Sequence, residues 1–319
     1  MASPTTPAAA AATSADERAR ALADHARRIK RQDKIATGVL TAIVWLVLLL
    51  LVAIVLYILY QGLGKALTPG FLTTSPLDKE NPGISFELFD SFYMLFWTLL
   101  ISVPLSLGAA IFLVEYAPNN WVTSAAKTAI ETLSSLPSIV VGMFGSLFFV
   151  YVMGWGVSII SGALALTMFN IPILVRVIQQ ALEDVPRSQR DAALAMGLTR
   201  WETTINVLLP AAMPAIVTGV VISAGRVFGE AAALIFTSGS APARLNFLST
   251  NFLSPTNPWN IFRPAETMAV HIWKLRMEPS VGNDVVAWGT AAVLIICILL
   301  FNVLARVLGK WLSRRLTSE

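Results

Sequence analysis

Cysteine, histidine and charged residues are all scarce in this sequence, and each shortage excludes a class of protein. The 319-residue chain has one cysteine, Cys297, so no disulfide can form within it. Its two histidines, His25 and His271, lie far apart in the sequence, so no metal site built from Cys and His is expected. Only 13% of the residues are charged, against roughly 25% in a typical soluble domain, which excludes a soluble globular protein.

The sequence has long apolar runs instead, with 55% hydrophobic residues and a mean hydropathy of +0.68. Several uncharged runs reach the roughly 20 residues that cross a bilayer core. The run over residues 132–175 is long enough for two helices, and Met153–Gly156 inside it holds two glycines that permit a turn. The sequence therefore predicts an all-α polytopic membrane protein with six transmembrane helices in contact with lipid, over residues 36–60, 89–114, 128–153, 158–181, 211–237 and 285–312.

The predicted domain organisation has one membrane domain between two short tails. Residues 1–34 are expected to form a cytoplasmic tail, disordered over its first 13 residues. Ser14 and Glu17 have capping-box spacing, which predicts a short basic helix before the first span. Residues 35–313 are expected to form the transmembrane domain, with a cytoplasmic loop at 183–210 and an extracytoplasmic loop at 238–284, and residues 314–319 the cytoplasmic C-terminal tail.

The distribution of lysine and arginine predicts the orientation in the membrane. With the N-terminus inside, sixteen Lys and Arg residues lie in cytoplasmic segments and six in outer loops. Basic residues are retained on the cytoplasmic side, so both termini are expected in the cytoplasm. The same rule accounts for the pI near 9.4, and nucleic acid is not an expected partner.

The cytoplasmic loop over residues 183–210 has regular helix boundaries. Its three signals are a capped start at Ser188 and Asp191, a C-terminal glycine at Gly197 and a capping box at Thr199 and Glu202. They predict a short helix across the cytoplasmic face, which a partner protein can push.

This loop resembles the EAA loop of permease subunits in ATP-binding-cassette (ABC) importers of type I. The matching residues are Asp191, Ala192, Ala193, Gly197, Val207, Leu209 and Pro210, with Asp191 in place of the usual glutamate. The resemblance implies that Asp191, Ala192, Ala193 and Gly197 couple the chain to an ATPase. The alternative is a capped surface helix in which Asp191 serves only as a cap.

Two further segments resemble one particular group of ABC importer permeases. Residues 134–142 (SSLPSIVVG) and 225–232 (GRVFGEAA) are similar to the PstA-type permeases of phosphate importers, and the similarity extends over residues 92–312. It implies a bacterial inner-membrane protein that pairs with a second, PstC-like permease, a PstB-like ATPase dimer and a PstS-like phosphate-binding protein. The sequence has no G-x-x-x-x-G-K-[ST] phosphate loop, so we expect no enzymatic activity and no cofactor, with ATP bound by the partner.

Arg226 and Glu230 are the candidate substrate-path residues, because they are four positions apart in the predicted fifth span and therefore share a helical face. A charge at the bilayer centre costs at least about 2.5–3.5 kcal/mol, so such residues tend to face a cavity or a partner. Arginine can bind two phosphate oxygens, and Glu230 can neutralise it when no anion is bound. The alternative is a salt bridge that holds two permease helices together.

Three other functions remain open at this stage. An ABC permease for another oxyanion or small solute would share the loop. A secondary transporter without an ATPase would be expected to carry inverted repeats with broken helices, and the sequence shows no such repeat. A membrane scaffold would have no evident use for an intramembrane charge pair. Anion uptake into a negative interior costs about 2.3 kcal/mol per charge per 100 mV, which favours a transporter coupled to an energy source.

Overall fold

The computed structural model describes residues 7–78, 80–241, 244–278 and 282–316, and all regular elements within them are helices. This confirms the all-α prediction. The helices are α1 (Pro7–Ala66), α2 (Ser85–Ile111), α3 (Trp121–Ser134), α4 (Ser138–Gly145), α5 (Ile159–Glu183), α6 (Arg187–Ala195), α7 (Arg200–Thr203), α8 (Leu209–Phe228), α9 (Ala232–Thr237), α10 (Met268–Met277) and α11 (Asn283–Leu316). Three π-helical turns continue α2, α4 and α7, over Phe112–Tyr116, Ser146–Val152 and Thr204–Leu208.

The first helix corrects two predictions about the N-terminal tail. It runs without interruption from Pro7 to Ala66, so residues 7–13 are helical rather than disordered. The basic segment is not a separate short helix that begins at Ser14 but part of the same helix as the apolar segment Gln32–Ala66. Alanine has the highest helix propensity, and five successive alanines after Pro7 extend the helix. Residues 1–6 lie outside the described residues.

Within the described ranges, five helical segments are long and apolar enough to cross a membrane: Gln32–Ala66, Ser85–Tyr116, Ile159–Glu183, Arg200–Phe228 and Asn283–Leu304. The predicted third span is wrong as a single helix, because α3 and α4 meet at an angle of 101°. Pro137 begins the new direction, since proline has no N–H to continue the hydrogen bonding of α3. The hydroxyls of Ser134 and Ser135 donate to carbonyls of the preceding turn, 2.8 and 2.7 Å away, and so satisfy the end of α3.

The packing of α2 on α5 shows that this bent pair makes one crossing. Thr167 Oγ1 contacts the Thr98 carbonyl at 3.5 Å, and Asn170 Nδ2 donates to Ser102 Oγ at 3.0 Å. The residue numbers of the two partners differ by 69 in the first contact and by 68 in the second, so α2 and α5 run parallel. The chain between the end of α2 and the start of α5 must therefore cross back to the side of the bundle where α2 begins. With the bent pair counted as one span, the described helices give six spans.

The last two predicted spans have shifted boundaries. The fifth was predicted over 211–237, but its helix begins earlier, at Arg200, and ends at Phe228, after which α9 is a separate helix. The sixth lies within α11, which continues to Leu316 and so includes part of the predicted C-terminal tail. Residues 317–319 lie outside the described residues.

Helix α5 is the most enclosed span and forms the centre of the packing, with α2 and α8 against it. A polar network joins all three, because Asn170 donates to Ser102 on α2 and accepts from the hydroxyl of Ser223 on α8. Gly219 allows α8 to approach Val177 closely, since a Cβ at this glycine would overlap the valine side chain. These contacts fix the depth of α8 residues relative to α5.

Candidate functional site

Arg226 lies near the end of α8, at the level of the middle of α5. Its guanidinium carbon is 4.1 Å from the centre of the Phe169 ring, a cation–π contact. Phe169 is ten residues beyond Ile159, which places it about 15 Å along the 25-residue α5. The Phe169 ring is buried, whereas Arg226 is exposed on the surface of the chain. The structure thus presents a cation at mid-span.

Glu230 does not share a helical face with Arg226, which corrects the sequence prediction. Helix α8 ends at Phe228, and Glu230 follows in the break before α9. Its Oε1 accepts a hydrogen bond from the backbone N–H of Ala233 at 3.3 Å. Within the described part of the chain, no carboxylate lies within 4.0 Å of the Arg226 guanidinium in an ion pair. Arg226 is therefore held by Phe169 and not by Glu230.

Helix α4, which follows the bend after α3, packs against α9, which follows the break after α8. Gly142 of α4 approaches α9 so closely that a Cβ at this position would lie 2.5 Å from the Cα of Ala233. Two interrupted helices are thereby held against each other. The structure places Glu230, in one break, within three residues of this contact.

The loop between α5 and α8 forms the predicted short helix, with one boundary different. Helix α6 covers Arg187–Ala195, follows Pro186 and has no side-chain cap, so the predicted start at Ser188 and Asp191 is wrong. Gly197 has φ +89°, the left-handed conformation that ends a helix, as predicted. The predicted capping box is confirmed: Thr199 N–H donates to Glu202 Oε2 at 2.8 Å, and Glu202 N–H donates to Thr199 Oγ1 at 3.2 Å.

The residues of the predicted coupling motif lie on two sides of α6. Ala193 is buried against the rest of the chain, whereas Asp191 and Ala192 are exposed. Apolar side chains are exposed beside them, with Met196 80% and Trp201 57% exposed. Exposed apolar groups in a polar loop between two spans mark a surface for a protein partner.

An ion pair that the sequence analysis missed fixes α6 to the end of another span. Arg190 of α6 donates to the carboxylate of Glu115, in the π-helical turn that continues α2. The Glu115 side chain is only 6% exposed. Its position at the end of an apolar run was the available signal, because a lone acid there requires a partner.

A second missed ion pair lies at the opposite end of α2 and is fully buried. Arg263 Nη1 donates to Asp90 Oδ2 at 3.2 Å, and its other donors reach the carbonyls of Pro258 and Pro264. Tyr93 on the next turn donates to the Trp259 carbonyl at 2.9 Å. The long segment before α10 is therefore folded onto α2.

Comparison with known proteins identifies a family of membrane transport components. Residues 102–318 match the family described as "Binding-protein-dependent transport system inner membrane component". The chain is 48% identical to "Probable ABC transporter permease protein YqgI" of Bacillus subtilis (strain 168), over 91% of this chain and 99% of that protein. It is 32% identical to "Phosphate transport system permease protein PstA" of Yersinia pestis, over 74% of this chain and 75% of that protein.

Two solved structures share the fold at low sequence identity. One is a chain of the MetNI methionine ABC transporter in an inward-facing conformation, with a TM-score of 0.52, 18% identity, and coverage of 74% of this chain and 94% of that chain. The other belongs to a bacterial ABC transporter involved in the import of the acidic polysaccharide alginate, with a TM-score of 0.53, 15% identity, and coverage of 86% and 96%.

Proposed function

Because the chain belongs to the family of inner membrane components of binding-protein-dependent transport systems, we propose that it is the permease subunit of an ATP-driven phosphate importer. The family makes it a multi-pass inner-membrane permease of an ABC importer. The choice of phosphate is supported by the likeness to PstA proteins and by the chemistry of Arg226.

The observation that carries the phosphate proposal is the exposed cation at mid-span. A charged group at this depth cannot face lipid without a large cost, so it faces a partner or a water-filled path. Arg226 has no carboxylate partner among the described residues, and its contact with Phe169 leaves the guanidinium donors available. Guanidinium donors match a pair of phosphate oxygens. Arg226 therefore binds the anion in transit, and Glu230, in the adjacent break, borders the same path.

The chain provides one half of such a path, and the other half comes from a second permease of the same fold. The exposed face of α8 around Ile222 and Arg226 is the surface for that partner. An extracytoplasmic phosphate-binding protein delivers the substrate to the end of the bundle that carries the segment before α10.

ATP hydrolysis is supplied by a separate ATPase dimer, which docks on α6 and its neighbours. Asp191 and Ala192 present the polar part of that surface, Met196 and Trp201 the apolar part, and Gly197 sets the turn between them. This arrangement requires the loop between α5 and α8 to lie in the cytoplasm. An even number of spans then places both termini in the cytoplasm as well, in agreement with the excess of Lys and Arg on that side.

The test is phosphate uptake by the reconstituted complex. The chain is copurified with its partner subunits, placed in proteoliposomes with ATP on the ATPase side, and supplied with the binding protein and radiolabelled phosphate. ATP-dependent uptake, resistant to excess sulfate, is expected. Uptake of another solute in place of phosphate would refute the substrate and leave the permease role intact, whereas uptake without ATP would refute the coupling.

A further inference from the structure

Two carboxylates and a histidine meet in the interior of the chain, at the end of α2 that also carries the Asp90–Arg263 pair. Glu87 lies in the first turn of α2, Glu266 precedes α10, and His271 is in α10. His271 Nδ1 is 2.9 Å from Glu266 Oε1 and 3.7 Å from Glu87 Oε1. One possible ligand atom from each residue lies within 4.8 Å of the others, and all three residues are buried.

The bonding of this cluster is incomplete. Both carboxylate oxygens of Glu87, whose side chain is 0% exposed, have no hydrogen-bond partner among the described residues, and neither has His271 Nε2. Buried polar atoms in proteins are nearly always partnered, and an ionised carboxylate without a partner is costly to bury. The arrangement therefore lacks a group that binds Glu87.

The neighbouring cations do not fill this role. Lys274 Nζ lies 3.4 Å from Glu266 Oε2, on the outer oxygen of that carboxylate, and Arg263 is occupied by Asp90. Lys274 is thus the one nearby cation for the carboxylates of Glu87 and Glu266 among the described residues, and His271 lies between these two carboxylates. A divalent cation would supply both the missing charge and the missing partner of Glu87.

We propose that Glu87, Glu266 and His271 bind one divalent transition-metal ion, for which zinc is the best match. Zinc takes imidazole nitrogen and carboxylate oxygen at about 2.0–2.2 Å, so tetrahedral ligand atoms stand about 3.3–3.6 Å apart. The two distances from His271 Nδ1 lie on either side of that value, so small side-chain shifts complete the geometry. Lys274 stays on the second oxygen of Glu266 and orients that ligand.

A cavity gives an ion a route to this site. It has a volume of about 420 Å³, is bordered by His271, and extends to the exposed residues Glu80 and Gly282. A water from this cavity provides the fourth ligand. The bound ion fastens the first turn of α2 to α10, at a distance from Arg226, so the site is structural and separate from the proposed substrate path.

Zinc binding is measured on the full-length chain with its copurified subunits, isolated with a tag that contains no histidine and treated with a chelator. Added Zn²⁺ alone is expected to bind at one ion per chain by elemental analysis. Glu87→Gln and His271→Gln are expected to weaken binding at least tenfold. The matched control is Glu278→Gln, which removes an exposed carboxylate just after α10 and leaves zinc affinity unchanged.

Cobalt provides a test that depends on no variant. Co²⁺ added to the stripped wild-type complex is expected to produce visible absorption of tetrahedral type, which Zn²⁺ then abolishes. A folded wild-type complex without this absorption overturns the proposal, as does equal zinc content in the wild type and both ligand variants.

Discussion

The guanidinium of Arg190 binds the carboxylate of Glu115 and thereby fastens α6 to the far end of α2. Helix α2 in turn packs along α5 with parallel direction, through Thr98 and Ser102. A displacement of α6 therefore acts on the central helices through an ion pair as well as through the backbone of the loop. This connection makes the pair a candidate for transmission between the proposed ATPase surface and the spans.

Neutralising either Glu115 or Arg190 should weaken the coupling of phosphate uptake to ATP hydrolysis. Glu115→Gln leaves Arg190 without its charged partner, and we expect transport lower on the order of tenfold, with the subunits still assembled. The measurement is phosphate uptake together with ATP hydrolysis in proteoliposomes. Arg244→Gln, which removes an exposed arginine outside the loop between α5 and α8, is the matched control. Equal losses in Glu115→Gln and the control would contradict a specific role.

Substitutions at Arg226 separate charge from geometry. Arg226→Lys keeps the positive charge but loses the fork of donors, and Arg226→Gln loses both, so uptake should fall in the order Arg, Lys, Gln. The double variant Arg226→Gln, Glu230→Gln should recover nothing, because the structure contains no ion pair between the two residues. Full recovery of uptake in that variant would move both residues out of the substrate path.

Gly197 is expected to tolerate asparagine but not valine. Its φ of +89° is accessible to asparagine at small cost, whereas a β-branched side chain there costs on the order of 1–3 kcal/mol. Gly197→Val should therefore distort the end of α6 and lower ATP-coupled uptake while the complex still assembles. Gly197→Asn should retain most of the uptake. Parental rates in the valine variant would show that the turn is not needed for coupling.

The buried Asp90–Arg263 pair should matter far more for stability than an exposed one. Asp90→Asn leaves the Arg263 charge buried without its counter-charge, a loss of roughly 3–5 kcal/mol, and should lower the midpoint of thermal unfolding by roughly 6–10 °C. Asp284→Asn removes the exposed partner of Arg276 and should cost less than about 1 kcal/mol. Similar midpoints for the two variants would be inconsistent with the burial of the first pair.

The proposed orientation is tested by labelling from outside intact cells. After Cys297→Ser, single cysteines are placed at Ser188 in α6 and at Thr250 in the segment before α10. A membrane-impermeant maleimide should label the cysteine at 250 and reach the one at 188 only after the cells are opened. Labelling of position 188 in intact cells would reverse the topology.

The sequence predicts local features of this protein well and distant ones poorly. The capping box at Thr199 and Glu202 depends on residues three positions apart, so the sequence alone is sufficient to find it. The end of α8 is harder, because apolar residues continue past Phe228 and hydropathy alone does not register the break. That error placed Glu230 on the face of Arg226.

Contacts between distant residues could not be predicted at all. The missed pairs are Glu115 with Arg190, Asp90 with Arg263, and Glu87 with Glu266 and His271. Each requires the relative placement of segments that lie far apart in the chain, which a single sequence does not contain. The expectation of no metal site built from Cys and His counted only those two residue types, and it did not weigh one histidine beside two distant carboxylates.

The π-helical turn at Thr204–Leu208 stands between the loop and α8. A π turn contains one residue more than the α-helical turn it replaces, so deletion of one residue there would restore an α-helical turn and leave the two flanking segments nearly in their present orientation. Deletion of one residue from the α-helical part between Leu209 and Arg226 would instead rotate Trp201 relative to Arg226 by about 100° about the helix axis. The alignment of the proposed ATPase surface with the mid-span cation therefore depends on where a residue is lost: the π turn tolerates the loss, and the α-helical part does not.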